Sequence, residues 1–228
     1  ADYATVGFSA SKVKIAAGKT AKITLTFKEP KSGKASQFPL YSGFVVATPK
    51  SKGGIAVHVP YTGVKGSISK VPIFDVDNGL PAVLLINNGQ FYEPPTSDFT
   101  YDLVNDFPAV ITRLGSHTPD LQLRVYSADM STFLGFISTT NRGAAFGWQG
   151  RDKNVDTNGQ FVFNTWIWGG QVFQAENLDT PPKQLAAGTY RIVAGAQRKF
   201  RPNKDFPSAQ NFEVYDLGTY KIANPTQK

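Results

Sequence analysis

Glycine and proline punctuate this chain so often that no long regular element fits between them. The 228 residues include 21 glycines and 15 prolines. No stretch places apolar residues at helical spacing between capping residues. What remains are short apolar runs with a period of two, the pattern of strands with one face buried and one in water. Ala21, Ile23, Leu25 and Phe27 alternate with Lys22, Thr24, Thr26 and Lys28. Residues 3–9 and 11–15 read as two further short strands. Phe44 to Ala47 and Ile55 to Val59 flank a Pro-Lys-Ser-Lys-Gly-Gly turn, whose Gly53-Gly54 suits a β-hairpin.

Past Lys70 the same grammar continues. Asp77-Asn78-Gly79 lies between the runs Val71–Val76 and Leu80–Ile86 and reads as a hairpin turn, with a loop following from Asn87 to Asp98. Further strands are expected over Phe99–Val104, Ala109–Leu114, Leu121–Tyr126, Phe133–Ile137, Ala144–Trp148, Thr189–Ala196 and Asn211–Ile222. Phe161 to Trp168 is apolar on both faces, as a central strand is. The expected fold class is all-β: two β-sandwich domains of fibronectin-III or immunoglobulin type, packed in tandem, over residues 1–70 and 71–228. The first is small for such a sandwich and is expected to lean on a neighbour.

Charge also changes near Lys70. Residues 1–70 carry eleven lysines against Asp2 and Glu29, a surplus of nine, whereas the whole chain carries a net +7. Lysines on wet strand positions and in loops keep edges from pairing. No aromatic residues interleave with them as base-stacking rings would, so no nucleic-acid partner is expected. No run approaches the ~18 apolar residues of a membrane span, and no membrane partner is expected. The chain starts at Ala1 with neither an initiator Met nor a signal pattern and reads as a mature or excised piece. With no cysteine there is no disulfide, thiolate metal site or cysteine nucleophile.

Few residues suggest chemistry. His58, between Val57 and Val59, occupies an ordinary surface or interface position. Ser116 precedes His117 in a Gly-Ser-His-Thr-Pro loop, but no nucleophile elbow surrounds the serine, and adjacent loop residues seldom reach base–nucleophile geometry. Asp75 and Asp77 do not announce a glycosidase pair. Asn154, Asp156 and Asn158 before Gly159 resemble a calcium loop, yet Thr165 stands where a bidentate Glu belongs, and a turn explains the same letters. No catalytic residue, metal site or cofactor is expected. Trp148, Trp166 and Trp168 are the ligand-binding candidates. Trp166 and Trp168 share a strand face beside Gly169-Gly170, and exposed rings of this kind stack on sugars. Against that, tryptophans on a central strand serve as core anchors.

The order and spacing of several stretches carry a family likeness. Residues 6–18 (VGFSASKVKIAAG), Ala21–Phe27, Leu40–Phe44 and Val59–Gly66 (VPYTGVKG) resemble the fibronectin-III-like domain that follows the catalytic domain of secreted fungal subtilisin-like serine proteases. Leu121–Val125, Phe133–Ile137, Trp148–Gly150 and Ala187–Ile192 through Phe200 are similar to the C-terminal region of the same proteases. That family's Asp-Ser/Thr-Gly, His-Gly-Thr and Gly-Thr-Ser-Met-Ala motifs do not occur here. The resemblance implies a secreted, extracellular, non-catalytic accessory region that stabilises the catalytic domain or engages protein substrate. Its partners would be that catalytic domain or its protein substrate. The rival reading is a carbohydrate-binding, lectin-like sandwich with cell-wall polysaccharide as its partner.

Overall fold

The computed structural model describes residues 3–51, 53–93, 99–139, 143–152, 155–174 and 180–223. Among them there is no α-helix. Short 3-10 turns at Ala35–Gln37, Ile68–Lys70 and Val76–Asn78 interrupt an otherwise all-β chain, as the punctuation requires. Two units are present, Ala1–Val71 and Pro72–Lys228.

In the first unit β1 (Thr5–Phe8) pairs antiparallel with β2 (Leu25–Lys28), and β3 (Leu40–Ala47) with β4 (Val57–Val64). They form separate two-stranded sheets. Residues 11–15 alternate correctly but join no ladder. Alternation specifies a half-wet strand, whereas a ladder also needs a neighbour to accept its hydrogen bonds. In β3–β4, Tyr41 faces Gly63 and Tyr61 faces Gly43. Each ring lies across the opposing glycine, where a Cβ would collide with it, and this pins the hairpin register. Tyr61 also meets Phe27 of β2, with ring centroids 4.8 Å apart, so this face of the hairpin turns toward β1–β2. Lys65, just past β4, donates to the carbonyls of Pro30, Lys31 and Ser32 at 2.6, 2.8 and 3.1 Å and ties that loop down.

The second unit contains β5 (Ala82–Asn87), β6 (Gln90–Tyr92), β7 (Thr100–Tyr101), β8 (Asp106–Thr112), β9 (Thr118–Ser127), β10 (Phe133–Thr139), β11 (Gly143–Ala144), β12 (Phe146–Gln149), β13 (Asn164–Phe173), β14 (Lys183–Gln184), β15 (Gly188–Gln197) and β16 (Phe212–Ile222). They join in one continuous sheet, ordered β6-β5-β8-β13-β10-β9-β15-β16-β7, with β11, β12 and β14 attached to β10, β9 and β13. The central strand expected over Phe161–Trp168 starts three residues later, as β13, leaving Phe161 and Phe163 exposed before it, and it serves two wings. Asn164–Ile167 pair with β8, whereas Trp168 and Gln171–Phe173 pair with β10. The register slips at Gly169-Gly170. Gly170, at φ 77°, lies against Leu103 and Gln184, where a side chain would not fit. Such a bulge bends a strand and carries it from one sheet layer to the next. The two wings curl around a shared core that includes Val83 and Val110 from one and Leu123, Ile137 and Ile192 from the other.

Asn-Gly hairpin chemistry appears one turn later than expected. Asn88-Gly89, at φ 47° and 77°, joins β5 to β6 with Asn87 opposite Gln90, the positive-φ pair of a tight hairpin. Asn78-Gly79 instead ends a 3-10 turn. The residues before it are committed elsewhere: Phe74 bridges Leu114, and the Asp75 N–H donates to the Arg113 carbonyl at 3.0 Å.

On β9, Leu121, Leu123 and Val125 point into the core. Asp120, Gln122 and Arg124 lie on the opposite face, covered by the connection between β15 and β16. From that connection Asn203 Nδ2 donates to Asp120 Oδ2 at 2.9 Å. Gln122 Nε2 donates to Asn203 Oδ1 at 3.3 Å. Phe206 sits over Gly195, and the Arg124 guanidinium stacks 3.8 Å from its ring centre.

Candidate functional site

Trp166 and Trp168 face inward from β13 and are 3% and 0% exposed. Trp166 Nε1 donates to Thr112 Oγ1 at 2.9 Å, and Trp168 Nε1 to the Gln171 carbonyl at 3.0 Å. The i, i+2 spacing did place both rings on one face, but that face is the core side, and Gly169-Gly170 make the bulge rather than a sugar-facing floor. Of the two readings open for Trp166 and Trp168, burial selects core anchors with satisfied N–H groups and sets aside ligand binding by these two rings. Trp148 is different. It is 69% exposed, at the residue the β12–β9 ladder skips between Gly147 and Gln149. One exposed ring remains of the three proposed for sugar stacking.

Ser116 is buried and accepts a hydrogen bond from the Lys199 ammonium, whose pKa burial pushes down. His117 is exposed. The neighbouring serine and histidine thus do not act on each other. Asp156 Oδ1 accepts the backbone N–H groups of Asn158 and Gln160, both at 2.8 Å, and closes a turn. Asn154 lies outside the described residues. Asp152 is a structural staple: its carboxylate accepts the Leu114 N–H at 2.7 Å and the Asn164 amide at 2.8 Å. Among the described residues no group of His, Asp and Glu is arranged to hold a metal ion.

The surface that stands out is in the first unit. Among its described residues Pro30 alone is buried. The hairpin face turned away from β1–β2 carries Leu40, Phe44 and Val46, with Leu40 77% and Phe44 66% exposed. His58 sits opposite Val46, its ring 6.2 Å edge-on from Phe44. A run such as Phe44-Val-Val-Ala47 is apolar on both faces and needs cover on both. Phe27 and Tyr61 supply part of that cover on one side. Exposed apolar side chains gathered on one strand face make this the candidate contact surface among the described residues. Sequence reading did not single out these residues, although the unbroken apolar run was the signal.

A family model described as an Fn3-like domain matches residues 1–62. No curated protein and no solved structure matches the chain. That match supports a fibronectin-III-like region over residues 1–62, a module of a generally non-catalytic kind, and the all-β ribbons there are consistent with it.

Proposed function

We propose that the chain is a non-catalytic C-terminal accessory region of a secreted fungal subtilisin-like serine protease, acting through protein contact. The observation that carries this reading is the open apolar face of Leu40, Phe44 and Val46. It sits on a fibronectin-III-like module, and the resemblance of several stretches to the C-terminal regions of those proteases, without their catalytic motifs, supports the reading. The face fits a flat protein surface, extended and apolar at alternate positions, and the lysine surplus of residues 1–70 favours an acidic counterpart. Its natural occupant is the catalytic domain, which would gain stability from the contact, or a protein substrate held for cleavage.

The test is to read the coding sequence upstream of Ala1, then titrate the catalytic domain found there with this chain and follow its melting temperature. Stabilisation that Phe44→Asp weakens by about tenfold, the scale of one lost interface anchor, supports the reading. An upstream frame without a subtilisin-like domain sinks it, as does a catalytic domain indifferent to the chain.

A further inference from the structure

The connection between β15 and β16 lifts an aromatic residue into solvent at a position where folding has no use for one. Residues 198–201 make a tight turn closed by the Arg201 N–H on the Arg198 carbonyl at 3.2 Å. Phe200, in the third position of that turn, has φ 58°. Left-handed backbone at such a position suits glycine or asparagine and strains a bulky residue. The ring recovers nothing by burial, being 86% exposed.

The turn is also held rigidly in place. Gln197 Nε2 donates to the Arg201 carbonyl at 2.5 Å, and Asn211 Nδ2 to the Lys204 carbonyl at 3.1 Å. The Arg198 N–H donates to the Asn211 carbonyl at 2.7 Å, and Asn203 anchors the far side on Asp120. Around the ring the charge is mostly positive. Arg201 and Lys204 are exposed, with Asp205 the acidic residue beside them. Arg198 is turned back toward Glu213, 3.5 Å away, and Lys199 toward Ser116. A second exposed aromatic is linked to the same support: Gly147 N–H donates to Asp120 Oδ1 at 2.8 Å, and the next residue is Trp148.

We propose that the Arg198–Lys204 turn, with Phe200 at its tip, is a docking site for an anionic lipid bilayer surface. A convex tip with a protruding ring and adjacent cations matches a headgroup interface, where the ring enters the acyl boundary and the cations meet lipid phosphates and carboxylates. A peptide or glycan chain asks instead for a groove or a flat platform. One apolar anchor gives only marginal attachment, and a second signal makes it stable. Arg201 and Lys204 supply that second signal, and Trp148, linked to the same Asp120 support, is a further exposed ring. No helix among the described residues is long and apolar enough to cross a membrane, and peripheral docking requires none.

Flotation with phosphatidylcholine vesicles, with and without phosphatidylserine, tests this at low salt. The chain is expected to float with the phosphatidylserine vesicles and not with the neutral ones, with a blue shift of tryptophan emission. Phe200→Gly should reduce the bound fraction about tenfold, the scale for withdrawing one large apolar side chain from the interface. The same variant should melt at or above the temperature of the parent chain, since glycine suits φ 58°. R201E/K204E should lose binding while keeping the fold. The proposal is overturned if the parent chain stays with the unbound fraction. It is equally overturned if Phe200→Gly binds as well as the parent, which would trace attachment to the lysines of residues 1–70. Retention on an acidic polysaccharide such as polygalacturonate without vesicle binding would assign the tip to a glycan instead.

Discussion

The two units use the same alphabet of alternating apolar strands and reach opposite results. In the second, β13 passes between two wings and closes a sheet around Trp168, Leu123 and Ile192, leaving them inaccessible. In the first, β1–β2 and β3–β4 remain two ribbons, and Leu40 and Phe44 stay in water. Apolar alternation is thus necessary for a core but does not make one. A second layer must face it, since stabilisation follows the area removed from water, roughly 25 cal/mol per Å². A two-stranded ribbon is marginal by itself, so the first unit gains less from its own packing than the second.

The contrast can be broken most decisively at Trp168. Trp168→Ala should destabilise the second unit by about 3–5 kcal/mol, the usual result of emptying an aromatic core site. Urea titration followed by tryptophan fluorescence checks this, because all three tryptophans lie in that unit. The loss would appear as an earlier midpoint with the slope retained.

Next in size comes Glu213. Its buried carboxylate accepts the backbone N–H groups of Ile73 and Phe74, each at 3.0 Å, and so fastens the start of the unit to β16. Glu213→Ala leaves both donors without their acceptor and should cost about 1–3 kcal/mol, the scale of leaving buried donors unsatisfied. The same urea experiment reads it, and an unchanged midpoint would remove this clamp from the account.

Acid should separate the units as well. The backbone N–H groups of Val104 and Asn105 hold the Asp102 carboxyl down at about 2, against an ordinary 3.8. A depressed folded-state pKa contributes stability above the ordinary value, and that contribution is lost as pH falls from about 4 toward 2. Asp129, held near 2 by Ser127 and Ser131, acts in the same direction. Asp106, pushed up by burial, acts in the opposite one. Melting temperature of the second unit should therefore fall across that window, and Asp102→Asn should make the fall shallower. The first unit has Asp2 and Glu29 as its acidic residues and should change little.

The smallest effect is expected at Phe44. Phe44→Thr should alter stability by no more than about 0.5 kcal/mol, as a surface substitution does, while hydrogen exchange across β3–β4 stays fast. Slow exchange there in the isolated chain would show that the ribbon already has cover.

Much of the strand pattern was legible beforehand, and the residues that resisted reading did so for one reason. Leu121, Leu123 and Val125 announced β9, and the apolar run ending at Trp168 announced a central strand. Asn78-Gly79 and Asn88-Gly89 have the same turn chemistry, so sequence alone does not say which makes the tight hairpin. The choice was made by Phe74 and Asp75 pairing with Leu114 and Arg113, some forty residues away. Trp166 and Trp168 were correctly placed on a common face, yet nothing local says which face is inside. Phe200 gave no sign of its exposure, because the hydrogen bonds that raise it come from Gln197, Asn211 and Asp120.

What the amino acids determined unaided is local: where strands run, which residues share a side, and where the chain must turn. These follow from the two-residue pleat and from backbone conformations that glycine and proline permit or forbid. Tertiary structure alone decided which sides meet another layer. Burial is a property of two surfaces: in one unit the second surface comes from distant sequence, and in the other β1–β2 covers part of one hairpin face while Leu40 and Phe44 on the opposite face stay exposed.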